Sequence, residues 1–262
     1  MPRLAGHART TWYDVVGDGP DVVFLHGLSA DAFLWAPVVD LLEGRARCVL
    51  PELWGHGRSF VDDARWTFQD QVDEVRAVLR VVGVKRPLLV GAGFGATIAA
   101  ALAVSGDDVS GLLLCAPKLR RPLPGPFGSQ GLAAVREKHR SGGPDALAAW
   151  AAAASPEAFT KANKDRNKRV QAALKAAVGL GPAIDAAMGA PSLVAEVGRL
   201  PVPLTVVLGA EDPTGTNDVL DGGLRADVLR VLPRVGHRVP LEAPAIVVEE
   251  LLALLDRAPA AA

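Results

Sequence analysis

Short apolar runs that stop at glycine or proline recur along this chain, with segments of helical periodicity between them. Asp21–His26 (DVVFLH) stops at Gly27, Arg47–Leu50 stops at Pro51, and Pro87–Val90 (PLLV) runs into the glycine cluster Gly91–Gly95. Gly111–Ala116, Leu204–Leu208 and Val228–Leu232 repeat the pattern. Strands without a polar side are those buried between two helical layers, so the chain is constrained toward a parallel sheet covered on both faces. The intervening segments agree. Val72, Val75, Leu79 and Val82 form one stripe of a helix over Phe68–Val82, Thr97–Val104 is an almost uninterrupted apolar helix, and Ala245–Leu255 is a closing amphipathic one. The expected fold class is α/β, a doubly wound, mostly parallel sheet, with Thr10–Val16 as an antiparallel edge strand.

That rhythm breaks between Lys118 and Val202. The interval opens with the Pro- and Gly-rich RRPLPGPFG and continues as Ala-rich helical segments without a recognisable strand. It reads as a helical cap (118–202) inserted into a core formed by 1–117 and 203–262. Within it, Lys161, Lys164, Arg166, Lys168 and Arg169 read as a solvated helix face, because Glu157 and Asp165 dilute the charge and no aromatics interleave. Ala258–Ala262 reads as a frayed tail.

Lys and Arg total 28 against 29 Asp and Glu, a net charge of -1, so no global field favours nucleic acid or an anionic membrane. No run of 18 apolar residues occurs, and Met1–Thr11 does not read as a signal peptide, which makes the cytoplasm the expected compartment. Cys48 and Cys115 lie inside apolar strands and read as core residues; Cys115, near a strand end, is also a pocket candidate.

Open parallel sheets bind ligands at the carboxyl ends of their strands. There the sequence places His26-Gly27-Leu28, Gly55-His56-Gly57-Arg58-Ser59, Gly91-Ala92-Gly93-Phe94-Gly95, Asp212 and Gly236-His237. Any one of these arises by chance; five in order, each after a strand, form a pattern. The pattern resembles the α/β-hydrolase family, in particular its capped branch of esterases, lactonases, carbon–carbon bond hydrolases and haloperoxidase-like proteins. The resemblance implies a nucleophile–acid–base order in which Asp212 and His237 are the acid and base. It also implies an oxyanion hole made by the backbone N–H groups of Leu28 and Phe94.

The departure is at the tight strand-to-helix turn, where Gly93 stands at the position of the nucleophile. Glycine accepts the positive φ of such a turn, so the turn forms, but no Oγ is available for an acyl-enzyme step. Backbone donors and a His–Asp pair do not depend on that side chain. Together they supply a general base beside an anion sink, suited to proton abstraction next to a carbonyl, elimination, or activation of water. Ser29, Thr97 and Cys115 are the substitute hydroxyls and thiol within range of consideration, and Thr97 is expected to bond back to a carbonyl one turn earlier. His26, Gly27, Ser29, Trp54 and Cys115 are the candidate pocket-lining residues. Gly55–Ser59 is read as loop-shaping, with His56 not catalytic.

Gly91-Ala92-Gly93-Phe94-Gly95-Ala96 also satisfies the dinucleotide fingerprint G-x-G-x-x-A. That fingerprint needs an acid at the end of the next strand, and here the strand ends Leu114-Cys115-Ala116-Pro117. The expectation is therefore an enzyme without metal or cofactor, acting on a small, mostly apolar carbonyl or ester-type compound through His237 and Asp212. The alternatives are an ordinary serine hydrolase whose nucleophile has been replaced by glycine, and a non-catalytic small-molecule binding protein. Substrate identity and oligomeric state are not encoded in any motif.

Overall fold

The computed structural model describes residues 3–6, 9–62, 66–120, 129–215 and 223–257. Nine strands make one sheet: β1 (Arg3–Gly6), β2 (Arg9–Val16), β3 (Asp21–Leu25), β4 (Arg47–Pro51), β5 (Phe60–Val61), β6 (Leu88–Ala92), β7 (Gly111–Cys115), β8 (Leu204–Gly209) and β9 (Val228–Leu232). Their order is β1-β2-β4-β3-β6-β7-β8-β9, with β5 pairing β2. From β4 through β9 every neighbouring pair along this order is parallel, while β2 runs antiparallel to β1, β4 and β5. β2 was expected at the edge of the sheet. It is instead covered by β1 and β5, strands of four and two residues that are too short to register as strands in the sequence.

Period-two alternation sends successive side chains of each strand into two different cores. Val23, Leu25, Leu89, Leu112 and Leu114 pack against α2 (Phe68–Val82) and α3 (Phe94–Val104). Val22, Phe24, Leu88, Val90, Leu113 and Cys115 pack on the other face against α1 (Ala36–Leu42) and the C-terminal helix Pro244–Arg257. The predicted span of α2 is reproduced, held at its start by a capping box between Thr67 and Asp70 and at its end by Gly83 at φ 72°. α3 is buried almost throughout, which its apolar sequence requires.

Between β7 and β8 the regular structure among the described residues is helical: α4 (Ser129–Gly142), α5 (Ala148–Ala153), α6 (Glu157–Ala162), α7 (Lys164–Ala176), α8 (Leu180–Met188) and α9 (Val194–Val197). Most of the Pro- and Gly-rich stretch, 121–128, lies outside the described residues, as does the tail 258–262. The helices bury a small core of their own around Leu132, Leu147, Leu174, Leu180 and Ile184. Backbone contacts tie this layer to the sheet's carboxyl end. Gly179 N–H donates to Gly55 O at 3.2 Å, and a methyl placed on Gly55 would lie 2.5 Å from Gly179 O. The basic cluster divides. Lys161 and Lys168 are exposed and pair within their own helices with Glu157 and Asp165. Arg169, by contrast, binds the buried Asp31 at 2.8 Å and lies over Phe33, and Arg166 donates to Leu241 O. Those two arginines fasten α7 to the core, a tertiary role that local charge counting misses.

Candidate active site

The register Leu25↔Gly91 and Ala92↔Cys115 sets the ends of β3, β6 and β7 side by side, and Gly209↔Leu232 does the same for β8 and β9. All the motif residues after these strands therefore converge on one end of the sheet. The turn from β6 into α3 is made at Gly93, with φ 53° and ψ -113°, a conformation that costs a side-chain-bearing residue strain. The flanking glycines are needed for packing. A methyl on Gly95 would overlap the carbonyl oxygens of Leu25 and His26, and one on Gly91 would sit 2.5 Å from Ala96 Cα. A Cβ placed on Gly93 would point at His237, 3.1 Å from Nε2.

His237 Nδ1 lies 2.9 Å from Asp212 Oδ2. The pair fixes the tautomer: Nδ1–H donates to the carboxylate, and Nε2 faces Gly93 as an acceptor. The other carboxylate oxygen accepts both the N–H (2.8 Å) and the hydroxyl (2.6 Å) of Thr214. Lys118 Nζ lies 3.8 Å from Oδ2 and donates to the carbonyls of Thr214 and Gly215. Burial raises the Asp212 carboxyl, but the His237 charge and hydrogen bond, Lys118 and Thr214 outweigh it and hold the acid well below the usual carboxylate range. Asp212's side chain is 2 % exposed and His237's 25 %, so the acid is sealed behind a base that still meets the cavity.

Beside Gly93 lies the loop after β3. A methyl on Gly27 would stand 3.1 Å from Ala92 O. The amides of Leu28 and Phe94 have no described acceptor; Phe94 opens α3, where an N–H has no intrahelical partner. Two buried histidines hold this loop. His26 Nδ1–H donates to Gly27 O and its Nε2 accepts from Leu53 N–H; His56 Nδ1–H donates to Trp54 O and its Nε2 accepts from Ser29 N–H. Both rings are thus neutral and fully used, 5.2 Å apart.

This arrangement is acid-sensitive. Burial first, and the neighbouring His26 imidazole second, push His56 down to about 3, against its backbone hydrogen bonds. An unfolded histidine titrates near about 6.5, so below that pH the unfolded chain takes up a proton that the native chain refuses. The stabilisation is complete above about pH 6.5 and is lost as pH falls toward the native value. Urea midpoints are expected to drop between pH 7.5 and 5, with a shallower slope in His56→Gln; equal slopes would contradict the account.

A cavity of about 880 Å³, its open mouth included, lies over Gly93. Gly27, Leu28, Ser29, Gly93, Phe94, Thr97, His237 and Arg238 line it from the sheet side, and Leu132, Trp150, Ala154 and Ala187 from the helical layer. Three expected lining residues are elsewhere. His26 is consumed behind the loop, and Trp54 is buried in the core, its Nε1–H donating to Thr11 Oγ1. Cys115 points to the opposite face of the sheet from Leu114, fully buried, and burial pushes its thiol up to about 12. Ser29 and Thr97 line the cavity, but neither hydroxyl has a described bond to His237; that of Thr97 donates to Gly93 O and Lys118 O. Thr214, Lys118 and Arg238 were missed in the sequence, although Asp-x-Thr and a residue adjoining His237 were visible.

Comparison with known proteins defines the family. Residues 22–250 match the model of the alpha/beta hydrolase family. The chain belongs to that family. Over 108 residues it is 33 % identical to a haloalkane dehalogenase of Bradyrhizobium diazoefficiens, covering 41 % of this chain and 34 % of the relative, so the likeness spans about a third of that protein. Its fold is similar to that of a thermophilic esterase from Thermogutta terrifontis (TM-score 0.87, 21 % identity, 98 % and 99 % of the two chains). It is also similar to an enol-lactonase from Burkholderia xenovorans (TM-score 0.84, 19 % identity, 97 % and 100 %). Among the described residues, no helix is long and apolar enough to cross a membrane.

Proposed function

We propose that this chain is an enzyme acting on a small, mostly apolar carbonyl or ester-type compound without a serine nucleophile. His237 serves as general base, Asp212 orients it, and the Leu28 and Phe94 amides hold the negative charge that develops on the substrate oxygen. The observation that carries the reading is the Nε2 lone pair of His237 aimed at the bare Gly93 corner, with its other nitrogen 2.9 Å from a sealed carboxylate. Where a nucleophilic side chain would stand there is space for a substrate C–H or a water. Proton abstraction leading to elimination, isomerisation or carbon–carbon cleavage, and water-mediated hydrolysis, all use the same two components. The segment 118–202 acts as the cap that roofs the cavity and selects the substrate, and the core is 1–117 with 203–262.

A fluorophosphonate probe followed by intact-mass measurement tests the absence of a nucleophile. The parent chain is expected to remain unlabelled. Gly93→Ser is expected to become labelled and to gain turnover of an activated ester, because its Oγ enters beside Nε2. The variant should lose about 1–3 kcal/mol of stability to the strained φ. Labelling of the parent at Ser29 or Thr97 would overturn the reading. A parent that binds compounds in the cavity but turns none of them over would instead support a binding protein.

A further inference from the structure

The polar side chains that line the cavity are unevenly charged: Lys118, His237 and Arg238 face it, and no carboxylate lines it among the described residues. Lys118 is engaged by the carbonyls of Thr214 and Gly215 and lies near Asp212. Arg238 is different. Its guanidinium has one described hydrogen bond, from Nη1 to Ser155 Oγ at 3.3 Å, and no carboxylate within 4.0 Å. The nearby acid, Glu242, is occupied elsewhere: it accepts from the backbone N–H groups of Gly236 (2.5 Å) and Arg238 (3.2 Å) and from the Ser155 hydroxyl (2.7 Å). Glu242 therefore shapes the backbone on both sides of His237, and Arg238 lines the cavity as well as a smaller adjoining pocket that Asp31 also lines.

From this geometry we infer that Arg238 is a carboxylate-binding residue, so that the substrate carries an anionic carboxylate besides the group acted on by His237. A guanidinium stays charged at neutral pH and presents a planar fork of donors that fits a carboxylate with two parallel hydrogen bonds. Burial pushes Arg238 down to about 10, with the charge of Glu242 opposing it, which is the cost of a desolvated cation that has no carboxylate in direct contact among the described residues. A substrate carboxylate supplies the missing partner. The anchored group and the atom facing Nε2 would both lie along the cavity wall that His237 and Arg238 share, while Leu28, Leu34 and Leu132 accommodate the apolar remainder.

This inference rests on the cavity being the reaction site, and binding without turnover separates the two. Hexanoate and hexanamide, alike in shape and different in charge, are titrated into the unmodified chain by calorimetry at pH 7.5. Hexanoate is expected to bind at least about tenfold more tightly. Arg238→Met should bring hexanoate to the level of hexanamide and leave hexanamide unchanged, Arg238→Lys should retain part of the preference, and His237→Gln should retain most of it. Equal binding of the two probes by the unmodified chain overturns the inference even if no variant folds. A preference that survives in Arg238→Met but disappears in His237→Gln or Lys118→Met overturns it too. A chain that prefers hexanoate yet catalyses nothing keeps this inference and removes the catalytic reading.

Discussion

Replacing His237 with glutamine is expected to lower kcat/KM by roughly 10²- to 10⁴-fold on any substrate the chain turns over, the usual contribution of a positioned general base. The loss should fall on kcat. The side chain faces the cavity with an exposed edge, and its replacement leaves Asp212 in its bonds to Thr214, so the fold and the cavity walls are retained. Steady-state kinetics over a panel of small esters, lactones and β-dicarbonyl compounds, paired with a thermal melt, checks this. An unchanged rate on the best substrate would eliminate His237 as the base.

Gly95→Ala should be one of the most damaging small substitutions at a described glycine. Its methyl would overlap two backbone carbonyls, those of Leu25 and His26, and backbone cannot swing aside as a flexible side chain does. Overpacking of that kind costs about 1–3 kcal/mol, and more where the obstacle is rigid. Relief requires moving α3 off the end of β3, which also displaces the Phe94 amide and Gly93. Gly106→Ala is the control: φ is 87° there but nothing lies within 4 Å of the new methyl, so only backbone strain is incurred. Urea unfolding of the two variants should separate them clearly, and Gly95→Ala should lose activity along with stability. Equal midpoints would show that the corner is looser than drawn.

These two expectations differ in how early they were visible. The inner parallel strands were legible because they are buried on both faces and so must be apolar, whereas β9 is apolar although largely exposed at the sheet edge. The site motifs were legible because each is local: a histidine beside a glycine, an acid after a strand. β1 and β5 were not legible, since short edge strands satisfy few neighbours and need no apolar pattern. Cys115 shows another limit. It ends the right strand, but alternation turns its side chain to the far face, and only the register decides which of Leu114 and Cys115 looks toward α3. Asp31 and Arg169 are separated by more than a hundred residues of sequence, and no composition argument pairs them. Arg238 was not singled out in the sequence, because no motif marks it and its place at the cavity wall follows only from the fold.

The amide of His237 donates to Ala154 O at 2.8 Å, so the residue proposed as the base is tethered to the polypeptide that lines the cavity from above. Selectivity and reactivity are therefore not separable cassettes in this chain. Transplanting the roof of a relative would have to bring a carbonyl at the place of Ala154 and a glycine at the place of Gly179. Without them, a graft chosen to change what enters would also detune what happens inside.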